Sequence, residues 1–366
     1  MIDWCAMRVL LSAVLLSAAA FAQQAVPEIP FEASVNALKL PADMNFGEVA
    51  GVAVNSKGHV FAFSRGNTTG PAYGASAAQL LEFGPDGRFI REIGKNLYAW
   101  SYAHAVRCDK DDNIWVIDKG SDMIIRFNPE GHVTMVFGRK KEASDEAAPW
   151  TRVNPPRPAV DGQFRQPTDV AWSPQGDIFI TDGYINSRVA KYDKSGRWVK
   201  QWGDRGNKPG EFNTPHSIVA DAKGNIYVAD RGNRRIQVFD ADGNLQRQIT
   251  IDVPVPTGVV PWMGPMPSTE AVARQSGAPW ALCITPGPTQ YLYSADAYPG
   301  RIYKLSLDGK VLGMFGTSGR QTKEFGWIHE LACPSENTIY AAELLNWRVQ
   351  KLTLHPEKAE KATASR

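Results

Sequence analysis

One spacing constrains this chain more than any other. A fixed slot is followed fourteen positions later by an acid in His104 and Asp118, Thr168 and Asp182, His216 and Asp230, and His329 and Glu343. Ala50 to Ser64 keeps the interval without the acid, and Trp280 to Asp296 is two residues longer. Six copies of one unit therefore fill nearly the whole chain after its first residues. The clearest copy is TPHSIVADAKGNIYVADRGNRRIQVFDADGNLQRQI. Its apolar runs at 217–220, 226–229 and 235–239, broken by Lys223-Gly224-Asn225 and Ala241-Asp242-Gly243, predict four short antiparallel strands. Units of that kind stack radially as propeller blades. The expected fold is all-β, a six-bladed β-propeller over residues 23–354. The sixth unit lacks an outer strand after 348–352, and a segment near Ala33 to Leu40 is expected to supply it, closing the ring without an exposed sheet edge.

Composition agrees and excludes some roles. The chain has 366 residues, 32 glycines and 25 prolines, which suits short strands joined by turns. With 40 basic and 38 acidic side chains there is no cationic excess to favour a nucleic-acid partner. Residues 1–22 read as a signal peptide: Arg8 precedes an apolar run, and Ala20-Phe21-Ala22 forms a cleavage pattern. The residues ahead of Met7 fit that pattern poorly, so translation could start there. The run is too short to span a bilayer comfortably, so no membrane span is expected once it is removed, and the protein is expected to be periplasmic or secreted. Residues 355–366 form a polar tail, expected to be disordered. Cys108, Cys283 and Cys333 are expected to be small buried residues, with a single disulfide among them left open.

Three of the six histidines, His104, His216 and His329, occupy the slot in alternate units. Alternate blades around an axis would aim three imidazoles at one point, a metal site with one position left for chemistry. His59, His132 and His355 fall in turns or the tail and are expected to face solvent. Asp118, Asp182, Asp230 and Asp296 recur too often for single-use chemistry and are expected to accept hydrogen bonds from loop amides. The same face gathers Arg65, Lys119, Tyr184 and Arg231, and the insertions Arg139 to Gly162 and Ile251 to Pro279 are expected to wall it. Arg65 and Arg231, from opposed blades, would suit a substrate carboxylate, or pair with neighbouring acids. Tyr184, its pKa lowered by nearby cations, would take a proton, or be a half-buried loop aromatic.

Motifs such as IYVADRGNRRIQVF resemble NHL-repeat propellers, over residues 40–354. More specifically, SYAHAVRCDKDDNIWVID, TDGYINSRVAKY and GWIHELACPSENTIYAAE resemble the peptidyl-alpha-hydroxyglycine alpha-amidating lyase, the lyase half of peptidylglycine alpha-amidating monooxygenase. The resemblance implies an enzyme, a carbon–nitrogen lyase of the peptidylamidoglycolate type, that splits a C-terminal alpha-hydroxyglycine into an amide and glyoxylate. It implies zinc on His104, His216 and His329, catalysis by Tyr184 with Arg65 and Arg231, and a structural calcium on the carbonyls of Val52 and Val106 and on Glu330. The family has aspartate where this chain has Glu330 and methionine where it has Trp327, so Trp327 is expected to reshape the substrate pocket. The family's cysteines after the tyrosine and in blade four are Ile185 and Tyr227 here. No copper monooxygenase domain accompanies the repeats, so a separate hydroxylating enzyme is the implied source of substrate. The alternatives are a non-catalytic NHL binding module with a structural metal, and a lyase or hydrolase for a different small hydroxy acid.

Overall fold

A computed structural model describes residues 26–66, 78–140, 160–259, 272 and 275–358. The signal segment, most of the first insertion, about half of the second and residues 359–366 of the tail lie outside these. Six four-stranded antiparallel sheets form a propeller ring. Blades one to five run in chain order from their inner strands, Glu48–Val54, Ala103–Cys108, Asp169–Trp172, Pro215–Ala220 and Ala281–Ile284. Blade six has Ile328–Ser335 inside, and its outer strand is Phe31–Ser34, paired antiparallel with Arg348–Leu354 from Phe31 opposite Leu354 to Ser34 opposite Lys351. The closing strand thus comes from the N-terminal side, beginning two residues ahead of the expected Ala33–Leu40 segment and ending within it.

The core is distributed as six blade-to-blade interfaces. Phe63, Trp100 and Phe127 pack between blades one and two, Ile180 and Tyr192 between two and three, and Phe179 and Phe239 between three and four. Tyr227 and Tyr303 fill the next interface, Tyr293 and Leu352 the fifth, and Phe83 and Tyr340 the closing one. Each middle strand is buried on both faces, which is why IWVID and IYVAD are apolar almost throughout instead of alternating. Because apolar burial is satisfied between blades, the axis is left to polar side chains.

The recurring acids hold the upper loops. Asp118 accepts from the amides of Ser101, Tyr102 and Ser121, Asp230 from Asn213 N and the Arg235 guanidinium, and Glu343 from Gly326 N and Arg348. Ser64 does the same in blade one, accepting from Gly47 N at 3.0 Å. These buried carboxylates are structural, as their recurrence implies.

Among the cysteines, Cys283 and Cys333 form a disulfide between the inner strands of blades five and six, and Cys108 is free. Of the outlying histidines His132 is exposed, whereas His59 is half-buried against Glu82 at 2.7 Å and His355 half-buried beside Glu32, so these two are not simply solvent-facing. The disulfide closes a 50-residue segment. Replacing Cys283 and Cys333 with alanine is expected to cost about 2–4 kcal/mol, read as a lower urea midpoint at unchanged slope.

Candidate metal centre and its surround

A β-bulge builds the slot. In blades one, two, four and six the pairing of the inner strand with its neighbour shifts register across the slot, between Val49 and Gly51, Ala103 and Ala105, Pro215 and Ile218, and Ile328 and Glu330. The extra residue at each shift leaves the ladder, re-aiming its side chain and freeing its carbonyl.

Each of the three histidines reaches the slot carbonyl of the next blade in rotation. His104 Nδ1 lies 2.7 Å from Thr168 O, His216 Nδ1 2.7 Å from Trp280 O, and His329 Nδ1 2.7 Å from Ala50 O. A carbonyl only accepts, so each Nδ1 carries the proton and each Nε2 presents a lone pair. The intervening slots contribute a backbone atom, which frees their side chains to differ as Ala50, Thr168 and Trp280. One ligand atom from each histidine lies within 4.8 Å of the others, and the three rings meet edge to face with centroids 4.7–4.9 Å apart. His216 Nε2 is buried with no hydrogen-bond partner. Burial first, joined by nearby cations and, for His104 and His216, by neighbouring histidines, holds all three well below the usual imidazole range. Three neutral, pre-oriented nitrogen donors fit a divalent transition metal of the zinc type.

Tyr184 stands over this centre, its hydroxyl 3.3 Å from His104 Nε2. It follows Gly183, where a Cβ would come within 2.0 Å of Pro215 O, so only glycine lets the loop approach blade four closely enough. Burial works to raise the Tyr184 pKa, but Lys119, Arg231 and Arg65 outweigh it and the phenol is lowered. The Lys119 ammonium lies 3.7 Å from the ring centroid. The Arg231 guanidinium is 5.5 Å from the same ring and 3.9 Å over Trp280. Across the axis, Arg65 stacks 3.9 Å over Tyr102, donates from Nε to Ala103 O at 3.1 Å, and pairs with Glu48. Trp327 meets Trp280 edge-on at 4.7 Å and packs with Ala297, giving the site one apolar wall.

The structure brings together His104, His216, His329, Tyr184, Lys119, Arg65, Arg231 and Trp327. Sequence reasoning missed Tyr102 and Trp280 as platforms for the arginines, and Glu48; the positions of Tyr102, two residues before a slot histidine, and of Trp280, itself in a slot, were the available hints.

The implied calcium site is different. Val52 N and Val106 N both donate to Glu330 Oε2, at 2.9 and 3.0 Å, and Arg107 Nε lies 3.0 Å from Glu330 Oε1. Gly51 makes room for that carboxylate, since a Cβ there would sit 2.7 Å from Oε2. A guanidinium already faces the carboxylate expected to bind calcium, so Val52, Val106 and Glu330 do not fit a resident calcium ion.

The chain is similar to several known proteins. A 6-bladed beta-propeller family model matches residues 161–261. The chain is 26% identical over 87% of its length to peptidyl-glycine alpha-amidating monooxygenase A of Xenopus laevis, covering 33% of that protein. It is 31% identical over 53% of its length to a probable peptidyl-alpha-hydroxyglycine alpha-amidating lyase of Caenorhabditis elegans, covering 56% of it, and 31% identical over 46% to human NHL repeat-containing protein 3. The chain thus spans only about a third of the amphibian enzyme. Virginiamycin B lyase from Staphylococcus aureus superposes with a TM-score of 0.55 at 14% identity over 89% of this chain and 100% of that one, a likeness of fold alone. The resemblance to amidating lyases and NHL-repeat propellers read from the sequence is borne out.

Replacing His104, His216 or His329 with alanine is expected to remove a bound divalent ion, lowering metal affinity at least about tenfold by metal analysis, with the β-sheet circular dichroism retained.

Proposed function

We propose that the chain is an exported, zinc-dependent lyase that cleaves the C–N bond of a peptidyl or N-acyl alpha-hydroxyglycine to give an amide and glyoxylate. The observation that carries this reading is the set of three inward-facing imidazoles, each fixed by a backbone carbonyl, beneath a cation-flanked phenol. Relatives named as amidating lyases support it. Zinc held by the three nitrogens would supply Lewis-acid polarisation of a substrate oxygen, with one position left open.

The remaining chemistry belongs to the chain. Arg65 and Arg231 enter from opposite sides and bind the substrate carboxylate, fixing the hydroxyl-bearing carbon between them. Tyr184, its phenol lowered by three cations, accepts the hydroxyl proton. The C–N bond then breaks as the carbon–oxygen double bond of glyoxylate forms. The bonding pair leaves on the amide nitrogen, which recovers the proton from Tyr184. Trp280 and Trp327 shield that side from water and receive the acyl portion. Lys119, at 3.7 Å over the Tyr184 ring, favours the phenolate.

Export rests on the signal-like residues 1–22 and on the Cys283–Cys333 disulfide, a bond that persists in oxidising compartments. The hydroxylated substrate would come from a separate hydroxylating enzyme.

Glyoxylate release from alpha-hydroxyhippurate tests the reading. Tyr184→Phe is expected to lower kcat by about 10²–10⁴ with bound metal unchanged. Arg231→Ala, removing a charge-assisted contact of roughly 1.5–3 kcal/mol, is expected to lower kcat/KM by about 10- to 100-fold. Wild-type rates in both variants would remove this mechanism, and a metal-loaded but inactive chain would favour the binding-module alternative.

A further inference from the structure

Three residues below His104, on the same inner strand, an arginine faces the axis. Arg107 is the charged member of AHAVRC, and its side chain is only 12% exposed. Its Nε and Nη2 grip Asp169 of blade three, at 2.9 and 2.6 Å. The same Nε lies 3.0 Å from Glu330 Oε1 of blade six, and Nη1 donates to Leu331 O at 3.1 Å. Nη2 also reaches Ser217 Oγ of blade four and Leu282 O of blade five, each at 3.2 Å.

The two carboxylates extend this hub to the rest of the ring. Glu330 Oε2 accepts from Val52 of blade one and Val106 of blade two. Asp169 Oδ2 accepts from Ser217 Oγ at 2.8 Å and Ile218 N at 3.0 Å. Inner strands of all six blades therefore converge on one guanidinium and its two acids.

We propose that Arg107 is the resident cation of the propeller axis, holding the six inner strands in place of a calcium ion. A divalent ion at this level would need inward-facing carboxylates and carbonyls around it. Glu330, Asp169, Leu331 O and Leu282 O are such groups, and the guanidinium already engages each of them. Burial opposes its charge, but Asp169 and Glu330 outweigh that and keep it protonated. Arg107 also lines a cavity of about 360 Å³ with Cys108, Cys283 and Cys333. This inference does not rest on the proposed lyase activity.

Thermal unfolding with and without calcium tests it, with excess zinc present throughout so that the histidines stay occupied. The wild-type midpoint is expected to move by less than about 1 °C on adding calcium after treatment with a calcium chelator. Arg107→Ala leaves two acids and two carbonyls around a void. Its midpoint is expected to fall and then to rise by about 5 °C or more at saturating calcium. A wild-type chain that retains about one calcium after desalting, or is stabilised by it, overturns the proposal. So does an Arg107→Ala chain that matches wild-type stability or ignores calcium. If that variant does not fold, the wild-type calcium content and midpoint still decide, and Arg107→Met provides a second variant that keeps much of the packing volume.

Discussion

The hydrogen bond from each slot histidine to the slot carbonyl of the next blade is the interaction on which the upper site depends. It fixes the tautomer, points Nε2 inward, and ties each odd-numbered blade to its even-numbered neighbour. It exists because a bulge at the slot takes the residue out of the ladder in the blades where a register shift is seen. In blades three and five the slot lies just ahead of the named strand, where Thr168 N and Trp280 N still pair with Thr181 O and Ala295 O. Alternation of side-chain donor and backbone acceptor accounts for histidine in every second copy.

The axis thus carries two polar layers with opposite logic. The upper layer is a cluster of neutral donors with their lone pairs aimed inward, surrounded by Lys119, Arg65 and Arg231, an environment that favours an anion and disfavours imidazolium. The lower layer is a cation, Arg107, surrounded by acceptors. Both are affordable because apolar burial takes place between blades and leaves the centre free for hydrogen bonding. A buried charged cluster of this kind is costly unless its charges face partners, and here one strand supplies the guanidinium while the other five, directly or through the carboxylates, surround it; Glu330 Oε1 is held by its ion-pair contact with Arg107 alone.

Around the phenol, position matters more than residue type. Lys119, Arg65 and Arg231 come from the ends of second strands in three different blades, and each is seated on an aromatic ring that holds its charge over the site. Tyr102 and Trp280 are therefore part of the machinery that orients the cations, although neither carries an obvious chemical signature. Trp327, with φ of 63°, turns back onto Trp280 and sets the apolar side of the pocket.

The repeat interval by itself determined the all-β ring, the equivalence of the three histidines and the structural role of the recurring acids, because periodicity converts directly into rotational position. The disulfide, the closing strand's exact place and the fit at Glu330 were decided only by tertiary structure. Cys283 and Cys333 pair because adjacent blades bring their Cα atoms to 6.0 Å, a distance no spacing in the chain encodes. Arg107 drew no attention in the sequence, because its meeting with Asp169, Glu330 and two further strands, through Ser217 and Leu282, depends on ring closure. Sequence gives each blade its residues; only closing the circle decides which of them share an axis, since every contact there joins residues distant along the chain.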